Sequence, residues 1–134
     1  MALPLSAIEQ AVVSTLQNNA GVGAASNGVY TRVSPRAQAP YVQVGDATLR
    51  DRSNLANRMF ECSLAITLAT RSREEGEAAS LLSLVDTALH EVSVSISGYT
   101  LFGITTREAK HYKRTDGTTN EARLDVQLML QENA

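Results

Sequence analysis

The chain predicts an α+β fold: one mostly antiparallel or mixed sheet of about four main strands, packed by two helices. Two observations carry this expectation. Residues 60–69 and 123–131 alternate apolar and polar side chains with period two, the mark of strands that bury one face. Residues 5–18 and 78–89 instead repeat apolar side chains at helical spacing, so each offers a stripe that the apolar face of such a sheet can cover. At 134 residues the chain reads as a single domain over 1–134, enough to bury roughly two-thirds of its unfolded surface without metals or disulfides.

The first helix should span Leu5 to about Asn18, with Leu5, Ile8, Val12 and Leu16 on one stripe and Ala11 and Thr15 widening it. Ser6 and Glu9 form an S-x-x-E capping box, while Pro4 in the first turn is a competing start signal. Asn18-Asn19-Ala20-Gly21 ends the helix, and Gly21 to Gly28 reads as a flexible connection of small residues. Two short β-prone pieces follow, Val29–Val33 and Tyr41–Val44, around a segment bounded by Pro35 and Pro40. Each proline fixes its own φ and pushes Ser34 or Ala39 away from helix. Asp46 to Asn57 is polar and predicts a long loop or a mobile hairpin tip.

The clearest strand comes next. Phe60, Cys62, Leu64, Ile66 and Leu68 share one face, and Glu61, Ser63, Ala65, Thr67 and Ala69 the other, so helices should cover one side only. Ser72-Arg73-Glu74-Glu75 is a second capping box, opening a helix to about His90 that buries Ala78, Leu81, Leu82, Val85, Ala88 and Leu89. Val94 and Ile96, then Leu101, Phe102 and Ile104, lead into a strand reaching about Arg114. Asp116-Gly117 predicts a tight hairpin turn. The return strand alternates Leu124, Val126, Leu128 and Leu130 with Arg123, Asp125, Gln127 and Gln131.

Composition excludes several function classes. With 12 Lys+Arg against 14 Asp+Glu, bulk charge does not favour tight nucleic-acid binding. Trp is absent and aromatic residues are few, which argues against a base-stacking platform. The single Cys62 rules out an internal disulfide framework and a cysteine-rich zinc site. There is no signal-peptide pattern, and no apolar run approaches the ~18 residues of a membrane span; the chain is expected to be made and folded in the cytoplasm.

No catalytic constellation emerges. Cys62 lies on the apolar face of the best strand and reads as a buried, inert thiol. His90 reads as a helix C-terminal cation and His111 as a hairpin side chain, neither with a second metal ligand at usable spacing. Gly21-Val22-Gly23 follows a helix instead of linking strand to helix, so it is no phosphate loop. No serine occupies a Gly-x-Ser-x-Gly elbow. The chain is therefore expected to be no enzyme and to need no cofactor.

Two charged segments are candidates for partner contacts. Arg50, Asp51 and Arg52 could form a subunit contact or an ordinary mixed-charge loop. Arg107 to Arg114 holds Arg107, Lys110, Lys113 and Arg114 against Glu108, with His111 and Tyr112 interleaved. It suits contact with DNA or an acidic partner ring, and equally the solvated flank of a hairpin whose charges discourage stray strand pairing.

Several markers together resemble the tail-terminator, or tail-completion, proteins of long-tailed phages and gene transfer agents. They are Gly28-x-Tyr30, the proline-containing loop, Pro40-Tyr41-Val42, the long strand ending at a Ser-capped helix, Gly98-Tyr99-x-Leu101, and the Asp116-Gly117-x-Thr119 turn. The resemblance runs over nearly the whole chain, and its markers are structural. It implies a virion protein of the tail or neck: a ring of six copies stacked on the last ring of the major tail-tube protein. Such a ring would end tube growth and join the head-tail connector or stopper protein, with DNA passing through its lumen without specific binding and no membrane involved. Six shared contacts supply avidity, so an isolated subunit can be a monomer. For such a ring, the Asp46–Asn57 loop and the Arg107–Arg123 hairpin are the expected inter-ring or inter-subunit contacts, with Arg50, Asp51, Arg52, Lys110, Tyr112, Lys113 and Arg114 as the candidate residues. A head-completion or stopper protein of the neck, and a non-viral binding module of the same fold, are the alternatives.

Overall fold

Alternation decides the centre of the sheet. Strands β3 (Met59–Thr70) and β5 (Asn120–Glu132) pair antiparallel in unbroken register, from Met59↔Gln131 to Thr70↔Asn120. Opposed residues share a face, so Phe60, Cys62, Leu64, Ile66 and Leu68 join Ala122, Leu124, Val126, Leu128 and Leu130 in one buried surface. Burying one such leucine contributes roughly 1.5–3 kcal/mol relative to leaving it in water. The computed structural model describes residues 4–31, 40–70, 76–91, 96, 98–113 and 120–133.

Strand β2 (Tyr41–Asp51) flanks β3 and β4 (Tyr99–Lys113) flanks β5, both antiparallel. The short β1 (Val29–Tyr30) pairs in parallel with Val42 and Gln43. The sheet is thus mixed and five-stranded, in the order β1-β2-β3-β5-β4. It has one strand more than the main-strand count expected, because the first β-prone piece pairs as a short strand of its own.

Two long helices cover one face, and a short third packs against both of them. In α1 (Leu5–Gln17) the stripe of Ile8, Val12 and Leu16 is fully buried. Pro4, not Ser6, stands at its N-cap, and no side-chain cap bond forms there; the Pro4 carbonyl accepts from the Ile8 N–H at 2.9 Å. Helix α3 (Gly76–Glu91) buries Ala78, Leu81, Val85, Ala88 and Leu89 on the same core. The Ser72 capping box, Pro35, Val94 and the Asp116-Gly117 turn lie outside the described residues.

Two expectations need correcting. The small-residue stretch after α1 is helical, as α2 (Ala20–Ala25). Asn19 caps it, its Oδ1 accepting from the Val22 N–H at 3.0 Å, and Val22 anchors it in the core. Its small side chains conceal an amphipathic pattern and allow close approach: a Cβ at Gly21 would stand 3.4 Å from Leu84. Likewise, Asp46–Asn57 is not all loop, since β2 continues to Asp51. Gly45, at φ 150°, allows a bulge that shifts the register between Val44 and Ala47. Beyond the bulge Ala47 and Leu49 turn toward the core while Thr48 and Arg50 stay exposed. The alternation resumes out of phase, which hides the strand from a period-two reading. Only residues 52–58 form the loop.

Candidate functional site

The three helices leave the other sheet face open, and the polar alternates of all four long strands meet there. Arg50 of β2 lies opposite Glu61 of β3, Glu61 opposite Met129, and Lys110 of β4 opposite Arg123 of β5. Strand pairing therefore brings both sequence-predicted charged segments onto one surface.

A polar ladder crosses this surface. Arg52 Nε meets Glu61 Oε2 at 2.8 Å. Glu61 Oε1 accepts from Gln127 Nε2, and Gln127 Oε1 accepts from Arg107 Nε. One carboxylate and one amide thus join an arginine beside β2 to an arginine on β4. Next to it, Asp46, Thr48, Ser63, Ala65, Arg107, Arg123 and Asp125 line an open groove of about 240 Å³. The groove holds two acids and two bases, and Arg123 and Asp125 pair at 2.9 Å. A surface so balanced has little net attraction for a polyanion.

The two ends of the sheet differ. At one end, loop 52–58 is tied by its own polar groups. Asp51 Oδ1 accepts from the Ser53 N–H at 2.8 Å, and Ser53 Oγ accepts from the Met59 N–H at 2.9 Å. Asn54 Oδ1 accepts from the N–H groups of Ala56 and Asn57 at 2.9 and 2.8 Å. The Ser53 side chain and then its backbone N–H hold the Asp51 carboxyl below its ordinary value. This bonded loop carries Leu55, whose side chain is fully exposed.

At the other end, β4 is exposed while the β5 residues beside it are buried or half-buried. Ala109 and His111 lie opposite the buried Leu124 and Ala122, yet both are exposed. Lys110 Nζ stands 3.3 Å from Glu108, with both side chains more than half exposed. The backbone places Tyr112 opposite Glu121 and Lys113 opposite Asn120, and Arg114 lies outside the described residues.

Sequence reasoning missed Glu61 and Gln127 as the link between the two segments. Their shared face was visible in the alternation of their strands, but their adjacency required the β3–β5 register. Leu55 in the β2–β3 loop and Phe102 on the edge strand β4, both exposed, were also missed.

The candidate chemical groups are separated. Cys62 is fully buried, and burial, with a contribution from Glu9, pushes its thiol up to about 11. His90, in the last turn of α3, has Nε2 3.2 Å from Asp86 and 2.9 Å from the Thr106 hydroxyl. Among the described residues no three His, Cys, Asp or Glu side chains converge on a metal-sized site. Among the same residues no helix is long and apolar enough to cross a membrane.

Comparison with known proteins places this architecture. A chain in the structure of a native gene transfer agent virion superposes with a TM-score of 0.86 at 21% identity, over 98% of this chain and 99% of that one. The gp17 protein of bacteriophage SPP1 superposes at 0.65 with 20% identity, over 95% of this chain and 91% of that one. At those identities the two likenesses show a shared fold. No curated protein matches the chain. The model of the family described as "Tail completion protein gp17" matches residues 10–131. The chain, from the first helix to the last strand, belongs to the gp17 family of tail completion proteins, structural components of the virion tail.

Proposed function

We propose that six copies close into a ring that caps the finished tail tube, stops its growth and offers the surface to which the head joins. The observation that carries this reading is the family match across residues 10–131, which takes in nearly the whole sheet and its helices. The surface chemistry supports it. A ring around a DNA channel must let the polyanion slide, and the open face sets acids against bases in equal number within its groove. A terminator also needs two unlike faces, one that accepts the tube and one that refuses another tube ring. The sheet has two unlike ends, a bonded loop bearing Leu55 and a charged, exposed stretch of β4.

Assembly then proceeds by a head-to-tail contact that closes cyclically. An interface of ordinary size, about 800 Å² per partner, suffices for each copy because the ring multiplies weak contacts. Arg50, Asp51 and Arg52 contribute at the loop end, and Lys110, Tyr112, Lys113 and Arg114 at the hairpin end. The major tail-tube protein lies below the ring and the connector or stopper above it. The protein acts as a structural part and performs no catalysis.

Charge reversal of Arg50 and Arg52 to Glu tests the loop assignment. Both side chains are exposed, and a surface ion pair such as Arg52–Glu61 is worth no more than about 1 kcal/mol. The variant should therefore keep the wild-type circular dichroism spectrum while producing few tails of correct length joined to heads. Normal yields of such tails would contradict the assignment.

A further inference from the structure

We propose that neighbouring copies join by continuing the sheet, the outer edge of β4 in one copy pairing antiparallel with the outer edge of β2 in the next. This inference rests on the ring reading of function. Among the described residues, β4 is paired only on its β5 side, and β1 covers β2 only at Val42 and Gln43. Among the described residues, both edges of the sheet therefore lack a strand partner over part of their length.

The register shows that the open parts match. Leu101 is level with Asp51 through Leu130 and Phe60, and Thr106 is level with Ala47 through Val126 and Leu64. Thr100–Thr106 carries no charge and is rich in Thr, Leu, Phe and Ile, an unguarded edge of the kind that invites pairing. Beyond it, Glu108 is level with the β2 bulge through Asp125 and Ala65, and Lys110 and His111 are level with Gln43 and Val42, where β1 occupies the opposite edge. The uncharged stretch of β4 is thus level with a part of β2 that β1 does not pair with.

Strand direction and side chains agree. β2, β3, β5 and β4 alternate in sense, so β4 and β2 run in opposite directions. Rotation about an axis along the strands preserves those directions and brings the two edges together antiparallel, the pairing with the better hydrogen-bond geometry. Phe102, 57% exposed, lies on the β4 edge at the end of the sheet where loop 52–58, between β2 and β3, carries the fully exposed Leu55. Within one copy β5 and β3 separate β4 from β2, and joining β4 of one copy to β2 of the next brings Phe102 to the end of the sheet where its neighbour carries Leu55. The contact is heterologous and covers both large apolar side chains at once.

Disulfide trapping tests this. Leu55→Cys combined with Phe102→Cys, oxidised in concentrated solution and at the ends of purified tail tubes, should give a ladder of linked copies ending in a closed ring. Each single variant should give dimers at most, and the buried Cys62 should not compete. Leu55→Cys with Leu84→Cys, which uses an exposed leucine on α3, should give no ladder. Phe102→Asp should keep the fold and weaken self-association at least about tenfold, as loss of an interface anchor does. A wild-type ring seen by native mass spectrometry that tolerates Phe102→Asp, or that yields no ladder or the same ladder with Leu84→Cys, would overturn the edge contact and leave the ring standing. A wild type that forms no ring either alone or on tubes would overturn both.

Discussion

Cys62 shows how position governs chemistry at the residue scale. It stands on the helix-facing side of β3 among leucines, and folding raises its thiol from an ordinary 9.0 to about 11. Burial is the larger cause, because desolvation disfavours the thiolate. A raised value means the folded chain prefers the protonated thiol. That contribution to stability is complete below pH 9 and is lost as pH climbs through about 11. Folded protein at pH 8 should therefore resist a thiol reagent that labels the urea-unfolded chain stoichiometrically, and the fall in urea stability between pH 9 and 11 should be smaller in Cys62→Ala. Full labelling without unfolding would refute the burial argument. This residue was legible in the sequence because alternation alone fixed its face. Arg52 and Glu61 were legible as exposed charges, but their pairing was not, since a nine-residue separation places them together only once β2 and β3 are in register.

At the scale of elements, strong periodicity was readable and weak periodicity was not. β3, β5, α1 and α3 each present an uninterrupted apolar face, and each lies close to where its pattern put it. The second half of β2 was read as loop because the Gly45 bulge breaks the phase and Ala47 is a weak apolar marker. Helix α2 was missed because Ala and Gly carry little pattern and Asn19 acts as a cap that could equally have been a turn residue. The short loop between β2 and β3 carries its own order. Asn54 satisfies two backbone donors and its own N–H reaches the Asn57 carbonyl at 3.0 Å. Asn54→Ala should cost about 1 kcal/mol or less in global stability, while amide exchange at Ala56 and Asn57 rises strongly. Unchanged exchange at both amides would mean that the side chain does not hold the loop.

At the scale of the whole molecule, register converts two separated charged segments into one surface. The sequence places Arg52 and Arg107 far apart, and the order β2-β3-β5-β4 joins them through Glu61 and Gln127. The same order leaves, among the described residues, both sheet edges without a strand partner over part of their length, leads the chain from a bonded loop at one end to a charged hairpin at the other, and keeps the open face nearly neutral. Each property suits a closed ring between a tube and a head, and none needs a catalytic group. The central claim is that this protein ends tail growth, so the most direct measurement is tail length by negative-stain microscopy in particles made without the gene. Overlong tubes lacking heads are the predicted result. Tails of normal length that merely fail to attach would contradict termination and place the protein in the neck, and intact particles would contradict any part in assembly.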